Sequence, residues 1–210
     1  MQISYFGLSS FKITGKDVTS IIDPFGKDSG LTPPRGAADL IILSEKTNET
    51  YSWTSGFSGE PFIVDGPGEY DVKEHTITGI PVKDKNGRVI TIYLVEVDGI
   101  KILHMAHVEK LTLSEDELED IGDVDVMLVP VGGNGVLTAD DAAKAVNFIE
   151  PKFVIPMHYK MSGSKIPADT EEKFLKEFGN KYEKMDKLTL KKKDLLPDQP
   201  MKIIILEPLR

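Results

Sequence analysis

The 210-residue sequence contains no cysteine, a single tryptophan and only four histidines. The missing thiols exclude a disulfide framework, a thiolate zinc site and a cysteine nucleophile. No run approaches the roughly 20 consecutive apolar residues that a bilayer-spanning helix needs. The opening Met1-Gln2-Ile3-Ser4-Tyr5-Phe6 alternates like a strand and carries none of the basic and apolar regions of a secretory signal. The expected location is therefore the cytoplasm. Basic charge is also scarce: 25 Lys and Arg against 34 Asp and Glu leave a net charge of −9, which repels polyanions at long range. Nucleic acid and membranes are thus not expected as partners, and the lysines at 184, 187 and 191–193 read as a solvated face. Two nucleophile or phosphate motifs are missing as well. Gly132-Gly133 lacks the lysine and hydroxyl of a P-loop, and Ser9 and Ser10 lie in no nucleophile elbow.

What is present is a chain of short apolar strands followed by amphipathic helices. Strand-like runs occupy 2–6, 10–14, 18–23, 40–44, 61–65, 75–82, 89–97 and 101–105, separated by Gly, Pro, Asn and Asp. Asn86-Gly87 carries the signature of a type I′ hairpin turn, and Gly66-Pro67-Gly68 and Gly132-Gly133-Asn134 read as turns that need unusual φ. The first clear helix starts at Ser114, with Glu117 placed to complete a capping box, and ends by Gly122. A strand at 124–131 follows. Thr138 then caps a helix whose Ala142, Ala145, Val146 and Ile149 form one buried stripe. Pro151 stops it before a strand at 152–157. A third helix over 170–178 ends at Gly179, and 202–206 is the last strand. This order predicts an α/β sandwich with helices on its outer faces, built as one domain over 1–210. The loops at 26–38, 52–59 and 161–168, rich in Gly, Ser or Pro, should be the least ordered.

Five further runs recur along the chain in a recognisable order: Tyr5-Phe6-Gly7-Leu8-Ser9-Ser10-Phe11, Ile22-Asp23-Pro24-Phe25, Gly66-Pro67-Gly68-Glu69-Tyr70, Val129-Pro130-Val131-Gly132-Gly133 and Ile155-Pro156-Met157-His158-Tyr159-Lys160. Together they resemble the metallo-β-lactamase superfamily, and within it the short hydrolase-like branch related to L-ascorbate-6-phosphate lactonase. The resemblance implies a four-layer αββα sandwich and, in the family, a dinuclear zinc site. Its ligand motif Ser-His-x-His-x-Asp-His would fall after the strand at 40–44, where this chain reads Glu45-Lys46-Thr47-Asn48-Glu49-Thr50. Leu8 stands at a position the family keeps polar. Lys83 falls where a further ligand histidine is expected, and His107 where the bridging aspartate would be. Only His158 matches a family ligand outright. One matching ligand cannot hold two zinc ions, each of which needs several converging donors and an open position.

The resemblance therefore implies a cleft lined by Glu45, Glu49, Lys83, His107 and His158. The leading expectation is a zinc-independent, non-catalytic protein with no cofactor. The Lys83 ammonium would replace the metal by pairing with Glu45 or Glu49, and the cleft would bind a small polar or anionic ligand. A catalytic form would use His158 or His107 as a general base. The alternative is a hydrolase of a lactone, ester or phosphoester with one zinc or manganese ion rebuilt on Glu45, Glu49, His107 and His158. A third reading is a scaffold or homo-oligomeric module acting through its outer surface. Blander roles are expected elsewhere: His75 at the surface, His104 packed and hydrogen-bonded, Asp23 bonding to loop backbone, and Trp53 lining the cleft or anchoring its loop.

Overall fold

The computed structural model describes every residue except Glu74, Lys85, Asn86, Thr112, Pro197, Asp198 and Arg210, together with the side chains of all described residues other than Glu115, Asp116 and Asp120. The first half is built from β1 (Gln2–Gly7), β2 (Ser10–Thr14), β3 (Thr19–Ile22), β4 (Gly36–Ala37), β5 (Leu40–Ile42), β6 (Phe57–Ser58), β7 (Phe62–Val64), β8 (Gly68–Val72), β9 (His75–Lys83), β10 (Val89–Val97) and β11 (Ile100–His104). The second half adds α1 (Glu115–Ile121), β12 (Val126–Pro130), α2 (Ala139–Ile149), β13 (Phe153–Met157), α3 (Glu172–Glu177), β14 (Glu183–Met185), β15 (Lys187–Thr189) and β16 (Lys202–Leu206). One sheet runs β15-β1-β2-β3-β5-β7 and the other β14-β16-β13-β12-β11-β10-β9-β8; β4 and β6 form a separate pair.

The two large sheets face each other across one continuous core. Ile3, Tyr5, Phe11, Ile13, Ile22, Leu40 and Ile42 of the first sheet join Ile77, Tyr93, Val95 and Ile102 of the second. Strands β3, β5 and β7 pair in parallel, as do β11, β12 and β13. Parallel strands in the interior of a sheet are covered on both faces, which is why 40–43 and 126–131 read as continuous apolar runs rather than alternating ones. Ile21, Ile41, Ala38 and Leu43 accordingly form a second cluster, capped by Phe6 and Phe57. On that side the crossovers between β3, β5 and β7 are loops carrying β4 and β6. Their Gly, Pro and Ser content leaves no apolar period for a helix.

The helix boundaries follow local chemistry. Ser114 and Glu117 close a complete capping box on α1, and Gly122 accepts its end. Thr138 Oγ1 accepts from the Asp141 amide at the start of α2, and Ala142, Ala145 and Val146 turn inward. Helix α3 is shorter than expected, starting at Glu172 without a side-chain cap. Strands β8, β14 and β15 were not legible in the sequence because all three are polar and mostly exposed. Asn86 of the expected turn lies outside the described residues, while Gly87 has φ +80° and donates to the Asp84 carbonyl.

One expectation is corrected. His75 is buried, not superficial: β9 lies over the first sheet, and its Nδ1 sits 2.7 Å from Ser20 Oγ. The loops expected to be least ordered are tied together by backbone hydrogen bonds. Lys165 N donates to Ser29 O at 2.7 Å, and Ala38 N to Ser58 O at 3.1 Å.

Candidate functional site

The carboxyl ends of β1, β3, β5, β11 and β13 meet at one edge of the sandwich, where open α/β sheets place their ligand crevices. Four non-glycine residues there have positive φ: Leu8 (52°), Asp23 (43°), Ala106 (52°) and His158 (53°). Side chains with a Cβ seldom adopt this region, and it costs about 1–3 kcal/mol per residue where the surroundings enforce it. The enforcement is visible. His158 N donates to Leu8 O at 2.8 Å, the Tyr5 hydroxyl donates to the same carbonyl at 2.8 Å, and Asp23 Oδ1 accepts from Ser44 N at 2.7 Å. Gly132 must lack a side chain, since a Cβ there would stand 2.1 Å from His158 O.

His104 sets the turn that delivers His107. Its Nε2 donates to Ser9 O at 2.8 Å, and its Nδ1 accepts from Ala106 N at 3.1 Å. These partners require one neutral tautomer, in keeping with a pKa that burial pushes below the usual histidine value. The expected packed role of His104 and the expected backbone bond of Asp23 both hold.

Beyond this turn the structure brings together Glu45, His107 and His158, and adds two residues that sequence reasoning missed, Tyr51 and Arg88. His107 Nε2 donates to Glu45 Oε2 at 3.1 Å. Glu45 also accepts from Asn48 Nδ2 at 3.0 Å and meets Arg88 Nη1 at 3.3 Å. The His107 bond, then Asn48 and Arg88, hold the Glu45 carboxyl below its ordinary pKa against the opposing effect of burial. Tyr51 stacks on the His107 imidazole, with centroids 4.6 Å apart and planes at 24°. Its hydroxyl lies 2.7 Å from His158 Nε2. Burial, reinforced by Asp23, keeps the phenol protonated, so the hydroxyl donates and Nε2 accepts. His158 is 2% exposed, and burial first, then His107, lowers its pKa to about 4. The imidazole is therefore neutral at pH 7.

Glu49 and Lys83 do not join this group. Both side chains are exposed, and among the described residues no ion pair links Lys83 to Glu45 or Glu49. Lys83 is at the end of β9, paired with Val89; the hairpin geometry instead turns Arg88 toward Glu45, with Asp84 Oδ2 bracing Arg88 Nε at 3.0 Å. The expected cationic partner is thus displaced by five positions. Trp53 anchors its loop, packing edge-on against Phe57 with Arg35 over its ring. Among the described residues no three His, Asp or Glu side chains are grouped as metal donors. Several buried polar atoms here have no hydrogen-bond partner among the described residues: Ser9 Oγ, Ser10 Oγ, Asp23 Oδ2, Ser44 Oγ, His107 Nδ1 and His158 Nδ1.

Two facing sheets whose strands deliver their loops to one edge are the architecture of the metallo-β-lactamase fold, and comparison with known proteins agrees. The family described as Beta-lactamase superfamily domain matches residues 2–158, and the chain belongs to that family. It is 28% identical to a UPF0173 metal-dependent hydrolase of Lysinibacillus sphaericus, over 76% of this chain and 85% of the relative. A UPF0173 metal-dependent hydrolase of Thermococcus onnurineus is 40% identical over 43% of this chain and 40% of its own length. Among solved structures, a Thermotoga maritima protein described as a Zn-dependent hydrolase of the metallo-β-lactamase superfamily superposes with a TM-score of 0.83. It is 28% identical and 99% of each chain is covered.

Proposed function

We propose that residues 1–210 act as one zinc-independent domain that binds a small polar or anionic ligand and has no hydrolytic centre at the strand ends. The observation that carries this reading is the placement of Tyr51. Its ring lies against His107 and its hydroxyl engages His158, so an aromatic side chain occupies the space where the relatives' metal chemistry would be expected. The donor set does not fit a catalytic metal. The Nε2 atoms of His107 and His158 are committed to Glu45 and Tyr51, Glu45 is neutralised by Arg88, and Glu49 is exposed. A zinc or manganese ion requires three or more such donors converging on one point. Replacement of the cation by an arginine satisfies the same electrostatic need, because a buried carboxylate without a positive partner is costly. The acid or base role considered for His107 and His158 is not supported either. A neutral imidazole with a pKa near 4 is a weak base at pH 7, and His107 has its Nε2 on Glu45 and its Nδ1 buried away from solvent.

Elemental analysis of protein purified without chelator tests the proposal, joined by zinc and manganese titrations followed by calorimetry. Sub-stoichiometric metal and no saturable uptake are expected, with no chelator-sensitive turnover of lactone, ester or phosphoester substrates. Stoichiometric metal that is lost in both Glu45→Ala and His158→Ala would overturn it in favour of a rebuilt mononuclear centre.

A further inference from the structure

A cleft of about 900 Å³ opens between the 31–35 loop, the 159–162 segment after β13 and the 205–209 tail. Neither Glu45, His107 nor His158 lines it, so it is separate from the filled strand-end group. Its volume lies in the range of small-molecule sites, roughly 300–1,000 Å³. The walls are fixed to one another: Lys165 N donates to Ser29 O, Lys160 N to Asp169 O, and Leu209 N to Tyr5 O at 2.8 Å. Gly7 lies beneath it with φ +127°, a conformation that side chains with a Cβ rarely adopt.

The lining has two characters. Phe6, Leu31, Met161 and Leu209 supply an apolar bed. Arg35, Lys160 and Lys184 supply cations, and among the described residues none of the three is in an ion pair; Arg35 and Lys184 lie instead over the rings of Trp53 and Tyr182. Glu171 and Glu207 also line the cleft, leaving one positive charge in excess on a protein whose net charge is −9. Tyr159 adds a directed donor. Its ring is 7% exposed, it lines the cleft, and its hydroxyl makes no hydrogen bond to a described residue. The hydroxyl is not one of the buried unpartnered atoms and so opens onto the solvent of the cleft, where a ligand can meet it. Burial and the neighbouring Glu171 raise its pKa, so it holds a proton to donate.

We infer that this cleft binds a carboxylate with an apolar body, the carboxylate held by Arg35, Lys160 and the Tyr159 hydroxyl and the body laid over Leu31 and Met161. A single excess charge matches a monoanion, and a guanidinium with a phenol donor matches the two oxygens of a carboxylate. The inference gives a ligand class to the binding role proposed above, but its site and its chemistry do not depend on the metal status of the strand ends.

The sole tryptophan reports the event, because Arg35 is 5.9 Å from the Trp53 ring centroid. Octanoate is titrated into chelator-treated protein, followed by Trp53 fluorescence and by calorimetry, with octylamine as the control of equal apolar length. A saturable response to octanoate, at least tenfold weaker binding of octylamine, and at least tenfold loss of octanoate affinity in the Arg35→Gln/Lys160→Gln double variant are expected. Both substituted side chains are exposed, and circular dichroism checks that the variant is folded. No saturable octanoate binding, equal binding of octylamine, or unchanged affinity in the folded double variant would each overturn the inference. Metal found at the strand ends would refute the proposed function while leaving this result standing.

Discussion

Truncating Tyr51 to alanine removes a ring that is 6% exposed, stacked on His107 and bonded to His158. Aromatic-to-alanine changes in packed interiors cost about 3–5 kcal/mol through lost transfer energy and the cavity left behind. Removing the hydroxyl alone, as in Tyr51→Phe, leaves His158 Nε2 buried without a donor, a defect of about 1–3 kcal/mol. The expected losses are therefore about 4 kcal/mol for Tyr51→Ala and about 2 kcal/mol for Tyr51→Phe. For a chain of this length each kcal/mol moves Tm by roughly 2–4 °C. Thermal melts should thus fall by about 8–16 °C and about 4–8 °C respectively, and urea midpoints should follow the same order. Because the ring of Tyr51→Ala is missing rather than replaced, p-cresol should bind the cavity and restore part of the loss, while leaving the parent protein unaffected. Losses below about 1 kcal/mol in both variants, or no rescue by p-cresol, would refute the idea that Tyr51 fills this space.

Three further outcomes are expected. Glu45→Ala leaves His107 Nε2 without its acceptor and Arg88 without one of its carboxylates, so it should destabilise by about 1–3 kcal/mol, whereas Lys83→Ala at an exposed strand end should stay within about 0.5 kcal/mol in urea titrations. Stability should fall on acidification below neutral pH. His158 has a folded pKa near 4 against an ordinary 6.5, so the unfolded chain takes up the proton first; its contribution is full above about pH 6.5 and is lost as pH drops toward 4, roughly 3 kcal/mol in all. Glu45, whose folded pKa is lowered, loses its contribution at still lower pH, in the same direction. Urea midpoints measured from pH 7.5 to 4.5 check this, and a flat profile would contradict a buried neutral His158. Gly132→Ala should cost at least about 1–3 kcal/mol by overpacking, because the new Cβ meets the His158 carbonyl at 2.1 Å; a variant as stable as the parent in thermal melts would contradict that contact.

Much of the architecture was legible because it is written in local patterns. The capping box at Ser114 and Glu117, the stripe Ala142, Ala145, Val146 and the apolar runs of β5, β12 and β13 each fix their element with nearest-neighbour chemistry alone. Strands β8, β14 and β15 escaped notice because their pairing, not their side chains, makes them strands. His75 was misplaced for a related reason: Glu74 and the polar residues around it suggest solvent, and only the stacking of β9 over Ser20 buries it.

At the strand ends the division is sharper. The residue types by themselves carried the expectation that one matching ligand would not assemble a two-zinc site and that a cation would accompany Glu45 or Glu49. Which cation does so was a tertiary decision. Lys83 and Arg88 are both basic and near one hairpin, but strand pairing leaves Lys83 in solvent and swings the longer Arg88 back to Glu45. Tyr51 was likewise invisible as a partner of His107 and His158, which lie 56 and 107 positions farther along the chain. Contacts of that span are set by the packing of two sheets, and no local periodicity records them.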